Sequence, residues 1–570
     1  MPPSEAQINK FSETLRSLHS RYERREPQIH FYKSLSQAFH KPERSLLELA
    51  TGEGKSSAII MATLDRLQQF PDDKILIATS SKKLQQQLLE QFTQISKIHD
   101  TVHEASNLFG KNNYLCAHKI NTHQHSYQQL NSQISQDIDT LKIWASQTAH
   151  AEREALHFDV DLKAWNALSP PKENCPPEHC TDACALQKAR KEAAKGSVII
   201  TNHARLLEDF QLPPEKRISH KRSLIIDEAS ELHKAIHAKQ SQSFCPQEEL
   251  KRAHSHQVKH SLKILDQDCR TFLSQNSSAQ TQHPFSLDLT ELYQHADTRL
   301  KAKLADFLNP QSLSWLDYDD YHQAPCFYSF SQSQNESFHD HSEAIIFCGA
   351  HLSHDKQDQH FTRQNQLTLH NSESIPPSYK LADKINTLSY PELPAVDEPN
   401  FFEQALTEFQ KNSSADSSHK LILFNSYSAL KTFLQLAQER QISQNFIAQN
   451  PQTSNSQIIE QFSQAQNATL LATHSFFIGI DFPNNILTDL YLMRLPFDNP
   501  ESISRKIKDR ICQENKLHPF SDSALIDAIT LFRQAAGRLI RHSQDSGTLH
   551  IFDKRIITKS YGQKFLNSLK

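Results

Sequence analysis

The segment Glu48-Leu-Ala-Thr-Gly-Glu-Gly-Lys-Ser56 follows an apolar run, Ser45–Leu49, and leads into a helix-prone stretch, Ser57–Leu67. A glycine-bearing turn that ends in Lys-Ser between a strand and a helix is the pattern of a phosphate-binding loop. It works where a strand of a parallel sheet delivers backbone N–H groups to the N-terminus of a helix. This commits the chain to an α/β fold. Gly52 and Gly54 let the backbone approach phosphates, with Thr51 and Glu53 completing the turn. Lys55 is placed to reach the β- and γ-phosphates of ATP, and Ser56 to put its hydroxyl on Mg²⁺. The strict pattern has glycine where this chain has Leu49.

Further apolar runs extend the sheet. Lys74–Thr79, Ser197–Thr201, Ser223–Asp227 and Glu343–Cys348 join Ser45–Leu49 in one set. Lys420–Phe424, Ala468–Ala472, Asp489–Met493 and Thr548–Phe552 form a second. Short continuous runs of this kind suit strands buried on both faces of a parallel sheet. Two α/β domains are therefore expected, meeting near Pro376, Pro391 and Pro394. Residues 101–196, with a helix-like pattern at Glu152–Trp165, and the polar, helix-prone residues 241–340 are expected to be mostly helical insertions in the first. The expected division is 1–100, 197–240 and 341–380 for domain 1 and 381–570 for domain 2. The stretches Ser329–His341 and His354–Ser374 read as loops.

Leu224-Ile-Ile-Asp-Glu-Ala-Ser230 supplies the other half of an ATP site. Asp227 at a strand end is suited to hold Mg²⁺ through water, and Glu228 to orient and deprotonate an attacking water. Together the two motifs indicate a nucleotide hydrolase.

Composition adds one point. The 570 residues contain only 9 glycines, at 52, 54, 110, 196, 349, 479, 537, 547 and 562. A chain this poor in glycine keeps it where a Cβ is forbidden, and most of these positions fall in the motifs named here. The net charge of −4 says nothing about partners, because a local basic groove suffices for a phosphate backbone. The 32 histidines are expected to be mostly solvated. No export signal, membrane span or preceding nuclease-like segment is indicated, so a cytoplasmic protein is expected. Cys116, Cys175, Cys180 and Cys184 fall within one insertion. Four thiolates there can hold a 4Fe–4S cluster or a structural zinc, or remain unligated, and spacing alone does not separate these. Cys245, Cys269, Cys326, Cys348 and Cys512 show no such grouping and are read as packing residues.

Over nearly its whole length the chain resembles the DinG/XPD branch of superfamily 2 helicases. Arg25-Glu-Pro-Gln28 looks like the family's adenine-recognition element, with Gln28 as base reader. Leu76–Ser80 with Leu84, Gln87 and Leu88 resembles the next motif, which touches DNA backbone. Thr201-Asn-His-Ala-Arg-Leu-Leu207 resembles the Asn-His signature, Leu421–Tyr427 motif IV, and Leu495-Pro-Phe497 the Leu-Pro-Phe element. Ser475–Asp481 resembles motif V and includes Gly479 and Asp481. Gln534-Ala-Ala-Gly-Arg-Leu-Ile-Arg541 resembles motif VI. There the resemblance places Gln534, Arg538 and Arg541 across the cleft, the guanidinium groups stabilising charge on the γ-phosphate. Three positions depart from the family: Ser230 replaces the usual His of the DEAH box, motif III reads Gly349-Ala-His-Leu352, and Ile478 replaces an acidic residue.

The resemblance implies two RecA-like motor domains with an iron–sulfur domain and an arch domain inserted in the first. It implies ATP, Mg²⁺ and a 4Fe–4S cluster on the four cysteines, with zinc or no metal as alternatives. The expected activity is 5′-to-3′ movement on single-stranded DNA and unwinding of forked or 5′-tailed duplexes in DNA repair, by a monomer and with little sequence preference. RNA–DNA hybrids are a further candidate substrate. A type IV CRISPR or mobile-element accessory helicase with a ribonucleoprotein partner, and a DNA-binding scaffold with a decayed ATPase, are the alternatives.

Overall fold

The computed structural model describes residues 3–18, 22–99, 103–122, 132–148, 150–170, 184–275, 285–309, 312–319, 324–330, 338, 340–350, 359–413, 419–442, 444–450, 455–473, 476, 487–540 and 544–570. The first sheet has seven strands: β1 Arg44–Leu49, β2 Ile75–Thr79, β3 Ala105–Asn107, β4 Val198–Asn202, β5 Ser223–Ile226, β9 Ile345–Gly349 and β10 Asn371–Ile375. A three-stranded sheet in residues 241–330 supplies β6 Ser241–Phe244, β7 Leu313–Asp319 and β8 Ala324–Phe330. The remaining sheet has six: β11 Ile385–Ser389, β12 His419–Leu423, β13 Asn445–Ala448, β14 Ala468–Ala472, β15 Leu487–Leu492 and β16 Gly547–Ile551.

The seven-stranded sheet runs β10-β1-β9-β5-β2-β4-β3, and every pair in it is parallel. The six-stranded sheet runs β11-β16-β15-β12-β14-β13, again all parallel. These are the two RecA-like sheets the sequence implies. Their inner strands are buried throughout, as in Ile75–Thr79 and Ala468–Ala472. Each is covered on both faces, because a parallel sheet has no solvated side. One face of the first packs Leu47, Ile77 and Ile225 against the helices Glu26–Ala38 and Lys55–Gln69. The other packs Leu46, Ile199 and Leu224 with Tyr114, Trp165 and Leu168 of the first insertion.

Several local expectations need correction. Residues 241–330 are not without strands: β6, β8 and β7 form an antiparallel sheet beside the helices His256–Ser274 and Thr298–Leu308. Aromatic side chains rather than aliphatic runs drive it, with Trp315 stacked on Tyr328 at 5.5 Å. The pattern at Glu152–Trp165 is broken into a 3-10 turn, Arg153–Ala155, and a helix, Leu162–Leu168. Asp161 restarts the helix by accepting the Lys163 N–H at 2.7 Å. The stretch His354–Ser374, read as loop, contains the helix Gln359–Asn365 and most of β10. Within 101–196, β3 pairs with β4 and belongs to the first sheet.

The small antiparallel sheet also reaches the second domain. Trp315 and Phe330 pack against Ile507 and Ile511 of the helix Ile503–Glu514. Among the described residues no helix is long and apolar enough to cross a membrane.

Candidate nucleotide site between the two sheets

Strand β1 ends at Leu49 and delivers residues 50–54 to the helix Lys55–Gln69. Gly52 and Gly54 have φ of +83° and +84°, a region that side-chain-bearing residues adopt only with strain. At Gly54 space is closed as well, since a Cβ would lie 2.1 Å from Gln28 Nε2. The helix Glu26–Ala38 therefore sits directly on the loop. Gln28 donates its amide to the Gly54 carbonyl at 3.0 Å, and Arg25 donates to the Gly52 carbonyl. The adenine-element residues and the phosphate loop form one construction.

Strand β5 brings Asp227 and Glu228 to the same place. Lys55 Nζ donates to Glu228 Oε1 at 2.7 Å and lies 3.3 Å from Asp227 Oδ1. Burial pulls the Lys55 ammonium down, but Glu228 and then Asp227 outweigh it and hold the lysine above its ordinary range. Burial raises Asp227, against the opposing pull of Lys55. Asp227 Oδ1 is buried and accepts no hydrogen bond, so one carboxylate lone pair is satisfied only by the ion pair. Glu228 itself has φ +50°, a left-handed backbone for a residue with a side chain, which costs on the order of 1 kcal/mol or more. That turn aims its carboxylate back at Lys55.

Behind the acidic pair the Asn-His signature acts as scaffold. His203 Nε2 donates to the Asp227 carbonyl at 2.8 Å, and Asn202 caps the helix His203–Asp209 by accepting the Arg205 N–H at 2.9 Å. Burial lowers His203 to about 4, so the ring is neutral there. Cys348 lies at the end of β9, and burial next to Asp227 holds its thiol well above the usual range. It and Cys245, Cys269, Cys326 and Cys512 are all buried, consistent with packing.

The second wall comes from the helix Leu525–Ala536 and the 3-10 turn Gly537–Leu539. A Cβ on Gly537 would lie 3.0 Å from Thr51 Oγ1, and one on Gly52 would lie 3.7 Å from the Ile540 carbonyl. The backbone that carries Arg538 is thus pressed against the phosphate loop. Gln534 is buried in the preceding helix. Arg533, which the sequence reading passed over, feels Glu48 of β1 across the cleft, although burial lowers it overall. Arg541, Ile478, Gly479, Asp481, His351 and Leu352 lie outside the described residues.

Comparison with known proteins agrees with this geometry. The Helicase C-terminal domain family matches residues 410–570, and the type III restriction enzyme res subunit family matches residues 21–255. The ATP-dependent DNA helicase YoaA of Escherichia coli (strain K12) is 26% identical, over 96% of this chain and 93% of that protein. The 3'-5' exonuclease DinG of Bacillus subtilis (strain 168) is 31% identical over 30% of this chain, but over only 19% of its own length. A solved XPD helicase superposes with a TM-score of 0.59 at 14% identity, covering 96% of this chain and 98% of that one. S. tokodaii Xpd4 gives 0.53 at 13% identity, covering 95% and 97%. The chain belongs to the DinG/XPD family of superfamily 2 helicases.

In this DinG/XPD chain the cysteine insertion is described only in part. Cys175 and Cys180 lie outside the described residues. Cys116 precedes the helix Ala117–Thr122 and Cys184 caps Ala185–Lys195, and both thiols are half-buried and free. The Cys116 N–H donates to the Leu168 carbonyl at 2.8 Å. Among the described residues no group of three or more metal-ligating side chains occurs.

A cavity of about 870 Å³ opens on the far side of the acidic pair. Ser230, His233 and His237 line it from domain 1, Tyr328 from the antiparallel sheet, and Asn425 and Lys508 from domain 2. His233 and His237 are both buried, contrary to the expectation of solvated histidines. Their i,i+4 spacing on one helix was the sequence signal available for them. Next to them, His360 and Gln364 of domain 1 reach Asp527 of domain 2 at 3.0 and 3.1 Å, and Lys508 and Arg505 pair with the same carboxylate. Burial alone would raise Asp527, but Lys508 and His360 hold it well below the usual carboxylate range.

Proposed function

We propose that the protein is an ATP-driven DNA helicase that moves 5′-to-3′ along single-stranded DNA and parts forked or 5′-tailed duplexes. The observation that carries this reading is Lys55 held between Asp227 and Glu228, with the Gly537–Leu539 turn of the second domain facing the same loop. Its likeness to YoaA along nearly the whole chain supports DNA as the track. The direction of movement follows from the family resemblance.

In the reading we favour, ATP takes over the cations of this site. Lys55 leaves the two carboxylates for the β- and γ-phosphates, which frees Glu228 to accept a proton from water. Asp227 and Ser56 are the groups that would hold Mg²⁺, and the buried, undonated Oδ1 of Asp227 fits that use. The metal supplies charge neutralisation on the phosphates. Arg538, with Arg541, faces the γ-phosphate from the other domain, and Gln534 orders that side. Arg25 and Gln28 recognise the base. Closure of the two domains on ATP and their release after hydrolysis then shift the grip along the strand, mostly through phosphate and stacked bases, so binding weakens with salt.

Cys116, Cys175, Cys180 and Cys184 are assigned to a 4Fe–4S cluster, with zinc as the alternative metal. Two facts favour a shared site: free, half-buried thiols at two helix starts, where thiolates are stabilised, and the bond that holds Leu168, just before the segment with Cys175 and Cys180, against Cys116. Its role would be to order the insertion.

The test is ATP hydrolysis by anaerobically purified protein with and without single-stranded DNA, beside Lys55→Ala. Hydrolysis strongly stimulated by DNA and lost in the variant is expected. A rate indistinguishable from Lys55→Ala under both conditions would refute the motor and favour a DNA-binding scaffold.

A further inference from the structure

Between Gly52 and Gly54 only Glu53 carries a side chain, and that side chain points away from where phosphates bind. Its residue is 1% exposed. Oε1 accepts the Ser378 N–H at 2.7 Å and Oε2 accepts the Ser378 hydroxyl at 2.8 Å. Ser378 follows Pro376 and Pro377 in the connection between β10 and β11, the strands on either side of the domain boundary. The next residue, Tyr379, donates its hydroxyl to the Ile540 carbonyl at 3.4 Å. That carbonyl is the one facing Gly52. Two consecutive residues of the connection therefore touch the phosphate loop on one side and the end of the arginine-bearing turn on the other.

We propose that Glu53 is a positioning residue that couples the phosphate loop to the interdomain connection through Ser378, so that the state of the loop sets the angle between the domains. This rests on the ATPase reading above. A turn built on two glycines has little stiffness of its own. A carboxylate that accepts two hydrogen bonds is a firm anchor, and with its surroundings closed to water it cannot part from Ser378 without being left unsatisfied. When the loop turns its N–H groups to a triphosphate, Ser378 must follow, and with it the segment about which the second domain swings. The two prolines just before Ser378 stiffen the lever.

The experiment is a double-mutant cycle on DNA-stimulated ATP hydrolysis with Glu53→Ala, Ser378→Ala, the double variant and Glu53→Gln, beside wild type and Lys55→Ala. Glu53→Ala is expected to lower kcat about tenfold, the kinetic equivalent of one lost hydrogen bond to a carboxylate. KM for ATP should change far less, and the double variant should be no slower than Glu53→Ala alone. Glu53→Gln should recover most of the rate, because its amide oxygen still accepts the Ser378 N–H and its NH₂ can donate to the hydroxyl. Losses that multiply in the double variant, a change confined to KM, or single variants at wild-type kcat each overturn the coupling while leaving the ATPase standing. Wild type no faster than Lys55→Ala overturns both.

Discussion

At the scale of single residues, the site is organised by charges that have no water to turn to. Lys55, Asp227 and Glu228 satisfy one another across the end of the first sheet. His203 supports them only as a neutral ring. Its ordinary pKa is 6.5 and burial lowers it to about 4, as it does for His237. Between those values the unfolded chain takes up protons that the folded chain refuses. Stability is therefore undiminished by these groups above pH 6.5, falls as the pH drops from 6.5 towards 4, and levels off below. Thermal melts from pH 7.5 to 4.5 should show this slope, and His203→Gln should flatten it; an unchanged slope in the variant would show that His203 contributes nothing to it. The phosphate loop, the acidic pair and the Gln534–Arg541 motif were legible because each is a contiguous string whose chemistry dictates its spacing. Glu53 with Ser378, 325 residues apart, and His360 with Asp527, 167 apart, were not, since nothing local in either segment announces the other.

At the scale of elements, legibility followed depth in the sheet. All nine strands expected from apolar runs are present. The four that were missed from the parallel sheets are β10, β3, β11 and β13, and these are the outermost strands at both ends of both sheets. An edge strand is paired on one side only and faces water, so it keeps polar residues, as in Asn371-Ser-Glu-Ser-Ile375. Burial on both faces writes the continuous apolar signal, and edges do not receive it. A buried cation escaped for a different reason. Arg222, 2% exposed, donates to the carbonyls of Ala194, Gly196 and Ser197 at 3.2, 2.9 and 3.1 Å. It thus closes the C-terminus of the helix that begins at Cys184 and ties it to β4. Arg222→Met should cost about 3 kcal/mol by orphaning several of these acceptors. Urea melts would measure the loss, and a change below about 1 kcal/mol, the net value of one ordinary hydrogen bond, would contradict the capping role.

At the scale of the whole molecule, the two domains are joined by polar contacts as well as by chain. Asp527 accepts from His360 and Gln364 of the first domain while neutralising Lys508 and Arg505 of its own. Asp527→Asn leaves two nearly buried cations short of a partner, and breaking such a pair from one side costs about 3–5 kcal/mol. Because the lost contacts span the interface, calorimetry should resolve the single transition of the wild type into two, with the second domain melting first. One undivided transition at the wild-type temperature would reject this.

The packing of Trp315 and Phe330 on Ile507 and Ile511 has a mechanical reading. Two bodies joined by one flexible strap can tilt about any axis through it. Here a branch that grows out of the first domain returns to rest on the second, so the joint is a closed loop of rigid bars and not an open hinge. A closed loop surrenders most of its rotational freedom and keeps a single path of motion, along which the branch is carried with the second domain. Opening and closing of the cleft is then geared to displacement of that branch, and each stroke of one must appear as a stroke of the other.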